Sequence, residues 1–180
     1  KTYQEFVDIS SQQFLEEVKS GNVPTSSQPA IGRVIEAYEK YHDDEIVNLC
    51  MTDGLSGTYM SALGAKNGLE NEEHIHVVNT KTLCGPHRYM FECAIKMVNE
   101  GCSLDELLAM LNQKIASAKS FLLPQDFDFL KRGGRLTPLA AKIGGLLKIQ
   151  PVMTQTEDGR RLEKFTIART FNGAVNAVIK

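Results

Sequence analysis

Apolar positions along this chain change their spacing several times and predict alternating strands and helices. Short apolar runs rich in β-branched residues at 46–51 and 74–80 are typical of buried strands. Elsewhere apolar residues recur every three or four positions, which predicts amphipathic helices. Five such helices are predicted to begin near Ser10, Pro29, Tyr59, Pro86 and Ser103. This alternation predicts a doubly wound, mostly parallel sheet with helices on both faces.

The pattern changes after residue 123, where short segments replace the regular alternation. A short strand is predicted at 120–124, and helical segments follow at 127–131 and 138–145. A strand at 147–154 and an Asp-Gly turn at 157–160 predict a hairpin that returns through 162–168. We therefore expect an α/β domain over residues 1–123 and the start of a second, α+β domain over residues 124–180.

Composition and charge narrow the possible partners. The formal net charge of −2 leaves no basic excess for nucleic acid, and no apolar run approaches the roughly 18 residues of a membrane-spanning helix. Four cysteines show neither a CxxC pair nor zinc-like spacing, so we expect no metal and a reducing, cytoplasmic location. The chain starts at Lys1 without methionine and stops inside a predicted helix, so we expect a piece of a longer protein.

The most informative stretch follows the first predicted strand. Ser56, Gly57 and Thr58 come between a small-residue turn and a predicted helix. Backbone N–H groups at a helix start, together with hydroxyls, suit a small anionic group, and ligands often bind at the carboxyl ends of strands. The alternative is a capped helix after a buried strand, and the local pattern does not separate the two.

A second hydroxyl cluster, Thr25–Ser27, precedes the second predicted helix, where it too could be a helix cap. Catalytic motifs are not matched. Gly54–Thr58 lacks the second glycine of a nucleophile elbow at the required place, and no phosphate-loop pattern is present. The two clusters could therefore hold a carboxylate or phosphate without reacting with it.

Three motifs in this order resemble the DegV family: Thr25–Pro29, Gly54–Tyr59 and Leu130–Leu136. The similarity extends to shorter stretches, so that it covers essentially the whole chain. These stretches are Val7–Ser10, Pro151–Thr154 and Glu157–Gly159.

The resemblance implies a bacterial fatty-acid-binding protein of two α/β domains with a long acyl chain buried between them. Family members are carriers rather than enzymes, and they present the carboxyl group to a separate fatty-acid kinase that makes acyl phosphate for phospholipid synthesis. They begin with a strand ahead of the position of Lys1 and continue past Lys180, so we expect both parts to be missing here.

The resemblance also implies roles for individual residues, none of them catalytic. The fatty-acid-binding residues it implies are Ser26, Ser27, Ser56, Gly57 and Thr58, with Ser26 standing where the family commonly has threonine. Arg132, Arg135 and Arg169 are expected to form a basic patch that docks the kinase. Asp53 departs from the family pattern, which usually has serine or another small residue, and a carboxylate there would repel a bound acid unless it turned away to cap the helix.

Two other functions stay open from the sequence. The crevice expected at the carboxyl ends of the strands could instead belong to an enzyme acting on a small carboxylated or phosphorylated substrate. The chain could also be a scaffold whose serines only cap helices. No cofactor is expected in addition to the bound fatty acid.

Overall fold

A computed structural model describes residues 2–4, 7–143 and 149–179 of the chain. The helices are α1 Ser11–Lys19, α2 Ile31–Lys40, α3 Thr58–Lys66, α4 Cys84–Asn99, α5 Leu104–Ser117, α6 Phe127–Arg132 and α7 Phe171–Ile179, with a 3-10 turn at Ala140–Lys142. The strands are β1 Ile46–Cys50, β2 Ile75–Asn79, β3 Phe121–Leu122, β4 Gln150–Gln155 and β5 Leu162–Ala168.

Strands β1 and β2 pair in parallel, with Ile46 opposite Ile75 and Cys50 opposite Asn79. Successive side chains of a strand point to opposite faces, so each strand contributes to two cores. On one face, Val47 and Leu49 pack against a cluster from α4 and α5. On the other, Ile75 packs with residues of α2 and α3. The predicted α/β class, with a parallel sheet covered by helices, is confirmed.

Strands β3, β4 and β5 form an antiparallel sheet in that order. The predicted hairpin is confirmed, since β4 and β5 pair from Gln150 opposite Ala168 to Gln155 opposite Leu162. Gly159 in its turn has φ +70°, a left-handed conformation that favours glycine. Strand β3 precedes the expected boundary at residues 123 and 124 but pairs with β4 beyond it. The boundary itself stays a prediction.

The predicted starts of α1 at Ser10 and of α5 at Ser103 are confirmed. Ser10 with Gln13, and Ser103 with Glu106, form reciprocal capping boxes. The Ser103 N–H donates to Glu106 Oε2 at 2.8 Å, and the Glu106 N–H donates to Ser103 Oγ at 3.3 Å. Hydrogen bonds to the ionised form hold the pKa of Glu106 below its ordinary value.

Two predicted helices differ from the structure. The second begins at Ile31 rather than at Pro29, because Ala30 is still extended at ψ 138°. The segment predicted as a helix at 138–145 has a 3-10 turn over Ala140–Lys142, and residues 144 and 145 lie outside the described residues. The start of the predicted strand at 147 also lies outside them, and β4 begins at Gln150.

The apolar pattern of α4 does not show which side of the helix is buried. Met90 and Ala94 are buried, whereas Phe91, Ile95 and Val98 are about half exposed, at 51%, 47% and 57%. In α5, by contrast, Leu107 and Leu111 are buried and form part of the core. Both faces of α4 carry apolar residues, so the sequence alone could not choose between them.

The capping box of α5 should make a measurable contribution to stability. Replacing Ser103 by Ala should lower the free energy of unfolding by about 1 kcal/mol, because the N–H of Glu106 loses its partner. Urea denaturation would measure this. Ser117→Ala, at the other end of the same helix, is the matched control and should change it by less than about 0.5 kcal/mol. Equal effects of the two substitutions would contradict the capping role.

Candidate functional site

The candidate site is built on the turn that joins β1 to α3. The Thr52 carbonyl accepts hydrogen bonds from the N–H groups of Leu55 and Ser56, at 3.3 and 3.2 Å. The Thr52 N–H donates to the Thr82 carbonyl at 2.9 Å. The turn is therefore closed on itself and joined to the segment that follows β2.

Ser56 and Thr58 form a hydroxyl pair at the start of α3. Their side-chain oxygens are 2.8 Å apart, and the Thr58 N–H donates to Ser56 Oγ at 3.2 Å. Gly57, the N-cap, has no side chain that could cap the helix. One hydroxyl proton lies between the two oxygens, so the other can be donated to a ligand. Helix N-terminal N–H groups carry partial positive charge beside this pair.

The structure brings the two predicted hydroxyl segments near each other through Gln28. A Cβ atom added at Gly57 would lie 2.8 Å from Gln28 Oε1, so the Gln28 side chain covers this glycine. Gln28 was missed as a candidate site residue, although it stands inside the motif that includes Ser26 and Ser27. The absence of a side chain at Gly57 is what allows the approach.

Ser26 and Ser27 are exposed and lie in a segment without regular secondary structure. The hypothesis that one of them caps α2 is wrong, because Ala30 is the N-cap. They stand four and three residues before that position, and no side chain caps the helix there. Their predicted contact with a ligand stays a prediction.

The turn also touches the second sheet. Thr52 Oγ1 donates to the Gly159 carbonyl at 3.2 Å, in the β4–β5 hairpin. A Cβ atom at Gly54 would overlap Arg160 Cα and lie 2.7 Å from the Gly159 oxygen, so only glycine fits here. Leu55 packs against the core cluster of the second sheet. The candidate site therefore lies where the two sheets meet.

Three buried threonines near the strand ends were not identified from the sequence. Thr52, Thr80 and Thr82 are each at most 1% exposed. Thr80 Oγ1 donates to the Cys50 carbonyl at 2.9 Å, so it accepts the hydrogen bond from His87 Nδ1 at 2.9 Å. Threonines placed directly after apolar strands were the signal available in the sequence.

Burial shifts the pKa values of two titratable groups near this region. It lowers the pKa of His87, which favours the neutral imidazole. It raises the pKa of the Cys50 thiol to about 11, so this thiol is protonated at neutral pH. Cys50 is consequently a poor nucleophile and acts as a small core residue.

Asp53, the residue that departs from the family pattern, is exposed. The N-cap of α3 is Gly57, so Asp53 does not occupy the cap position suggested for it. Its exposure places the carboxylate in water, where its charge is screened.

Of the three predicted docking arginines, Arg135 reaches the candidate site. Its Nε donates to the Leu55 carbonyl at 3.3 Å and its Nη1 to the Gly133 carbonyl at 2.6 Å. The Arg132 guanidinium lies 5.5 Å from the centre of the Phe129 ring. Arg169 is exposed directly after β5. All three are exposed, and their role in docking stays a prediction.

A separate open cavity of about 350 Å³ lies along α1 and includes the carboxylates of Asp8, Glu16 and Glu17. None of the predicted hydroxyl residues lines it, and its negative charge is unfavourable for an anionic ligand. Among residues 2–4, 7–143 and 149–179, no group of three or more His, Cys, Asp or Glu side chains could hold a metal ion. No helix in the same ranges is long and apolar enough to cross a membrane.

The fold and the site define an α/β protein with a pair of hydroxyls near the contact between a parallel and an antiparallel sheet. The family model described as uncharacterised protein, DegV family, matches residues 1–180. A DegV domain-containing protein of Staphylococcus aureus strain N315 is 33% identical over 99% of this chain. The chain belongs to the DegV family, as the motifs predicted. It covers 63% of that relative's length.

Solved structures of DegV proteins share the fold. A DegV family protein of Thermus thermophilus, described as fatty-acid binding, has a TM-score of 0.83 at 28% identity, over 98% of this chain and 63% of that one. DegV of Bacillus subtilis, described as a fatty acid binding protein, has a TM-score of 0.82 at 28% identity, over 99% of this chain and 64% of that one. The predicted α/β fold is thereby confirmed by comparison as well as by the elements themselves.

His87 should make stability depend on pH. Its pKa is lowered in the folded protein, so below about pH 6.5 the unfolded chain binds more protons than the folded one. The free energy of unfolding should therefore fall as pH decreases through about 6.5 toward the folded pKa. His87→Gln should remove this part of the dependence. Urea denaturation at several pH values would measure it.

The exposed His42 supplies the control. His42→Gln should keep the decrease in stability between about pH 7 and pH 5. If His87→Gln keeps it to the same extent, the decrease does not arise from His87.

Proposed function

We propose that this chain is the carboxylate-holding part of a fatty-acid carrier. The observation that carries the proposal is the Ser56–Thr58 hydroxyl pair at the start of α3, next to Gln28 and at the junction of the two sheets. Membership of the DegV family supports it, as do the fatty-acid-binding descriptions of the Thermus thermophilus and Bacillus subtilis relatives. The ligand is a long-chain fatty acid.

In this proposal Ser56, Thr58 and the helix N-terminus bind the carboxylate, with Ser26 or Ser27 as a further hydroxyl donor. Hydrogen bonds to a charged acceptor are stronger than neutral ones, and two or three of them satisfy one carboxylate. The acyl chain adds roughly 0.8 kcal/mol for each methylene removed from water. Large apolar side chains such as Met60, Phe165 and Phe171 are exposed, so apolar surface is available on the chain.

We propose a carrier rather than an enzyme. A serine nucleophile needs a base within hydrogen-bond reach, and the hydroxyl partner of Ser56 is Thr58. His87 bonds to Thr80 instead. The carrier presents its carboxyl group to a separate fatty-acid kinase, which forms an acyl phosphate used in phospholipid synthesis. The exposed Arg132, Arg135 and Arg169 support a docking surface for that kinase.

Loss of the Ser56 hydroxyl should weaken fatty-acid binding. Calorimetric titration of the chain with oleic acid should show an affinity for Ser56→Ala lower by about 1–3 kcal/mol, because one charge-assisted hydrogen bond is lost. Ser117→Ala, a serine on α5 outside the site, should bind oleic acid like the unsubstituted chain. Methyl oleate, which lacks the carboxylate, should bind both Ser56→Ala and the unsubstituted chain equally weakly.

If Ser56→Ala and Ser26→Ala both bind oleic acid with unchanged affinity, the assignment of these hydroxyls to the carboxylate is wrong. Release of a modified product from a small carboxylated or phosphorylated compound would instead favour an enzyme at the same crevice.

Arg169 should be needed for the kinase and not for the lipid. Arg169→Ala should bind oleic acid normally but give slower acyl-phosphate formation when a fatty-acid kinase and ATP are added. The difference from the unsubstituted chain should shrink as salt rises, because salt screens the lost attraction. Arg33→Ala, an exposed arginine on α2, is the control and should be phosphorylated normally. Loss of lipid by Arg169→Ala would place this arginine in the binding site instead.

A further inference from the structure

Two part-buried hydroxyl bridges connect the parallel sheet with the antiparallel one. In the first, Thr52 Oγ1 donates to the Gly159 carbonyl at 3.2 Å. In the second, the Thr82 and Ser120 hydroxyls are hydrogen-bonded to each other. Thr52 and Thr82 are each 1% exposed, whereas their partners Gly159 and Ser120 are half-buried.

The second bridge reaches two strands of the antiparallel sheet. Ser120 directly precedes β3, and its carbonyl accepts a hydrogen bond from Thr154 Oγ1 of β4 at 3.0 Å. On the other side, the Thr82 carbonyl accepts from the Thr52 N–H at 2.9 Å. The two bridges are thus joined through the backbone and act on the same end of the parallel sheet.

This connection leads directly to the candidate carboxylate site. The Thr52 carbonyl accepts from the N–H of Ser56, so a displacement of Thr52 also moves the Ser56–Thr58 pair. A buried hydroxyl that loses its partner costs about 1–3 kcal/mol, which keeps the bridges closed. Hydrogen bonds are directional, so they set the relative position of the sheets more narrowly than apolar contact does.

We propose that Thr82 and Ser120, together with Thr52, are positioning residues for the carboxylate site. Their bridges hold the turn before α3 against the second sheet, and this places the Ser56 and Thr58 hydroxyls for the ligand. Their own hydroxyls are already used in protein hydrogen bonds, so their effect on the ligand is indirect. The expected effect on affinity rests on the proposed fatty-acid binding. The role of the bridges in holding the turn does not depend on that proposal.

Thr80 offers a matched control. It is as buried as Thr82, but its hydroxyl bonds to the Cys50 carbonyl and to His87, both in the first half of the chain. Thr80→Val and Thr82→Val remove the same group from the same kind of environment. A merely structural role for Thr82 would therefore give the two variants similar properties.

The test measures oleic acid affinity by calorimetry and amide hydrogen exchange without ligand for Thr82→Val, Thr82→Ser and Thr80→Val. Thr82→Val should bind oleic acid about tenfold more weakly, which corresponds to about 1.4 kcal/mol. Its amides in 53–58 and 157–160 should exchange faster. Thr82→Ser, which keeps the hydroxyl, should restore both properties. Thr80→Val should lose stability while keeping its affinity and its exchange rates in these two segments.

The proposal is overturned if Thr82→Val binds and exchanges like the unsubstituted chain, or if both valine variants are weakened equally. If Thr82→Val does not fold, Ser120→Ala removes the same bridge from the other side and should show the same two changes. If the unsubstituted chain binds no oleic acid, the proposed function fails. Hydrogen exchange then still tests whether the bridges hold the turn against the second sheet. Faster exchange in Thr82→Val alone would support them, and unchanged exchange would overturn them.

Discussion

The contact between the turn after β1 and the β4–β5 hairpin is the constraint on which the site depends. Gly54 lies so close to Arg160 that any side chain there would overlap backbone, and Thr52 donates to the Gly159 carbonyl. Because the turn is also closed by bonds to the Thr52 carbonyl, its path is determined from both sheets. This contact also fixes the position of the Ser56–Thr58 pair, since α3 begins directly after the turn.

The groups assembled at this junction are mainly neutral donors. Hydroxyls and helix N–H groups hold an anion less tightly than a buried arginine would. Arg135 is nearby, but its guanidinium donates to the carbonyls of Leu55 and Gly133. This arginine therefore supports the backbone of the turn as well as contributing charge to the surface. Both properties agree with the proposed carrier function.

The sequence predicted most of the elements and the residues of the hydroxyl pair. The helix starts at Ser10 and Ser103 and the hairpin turn were predicted, because the hydrogen bonds that form them join residues only a few positions apart. The expected helix at 138–145 was wrong where the structure describes it, because apolar spacing cannot distinguish a 3-10 turn from an α-helix over so few residues. Gln28 was missed as a site residue because its importance depends on a glycine 29 positions further on.

The sequence by itself determined the α/β class, the family and the two hydroxyl motifs, since these depend on residue type and on short spacing. Only the tertiary structure decided which hydroxyls are buried, which face of α4 is covered and what joins the sheets. Thr52 and Gly159 are 107 residues apart, and no periodicity in the chain relates them. Folding brings them together because the turn and the hairpin pack against each other, a property of the assembled chain rather than of either segment.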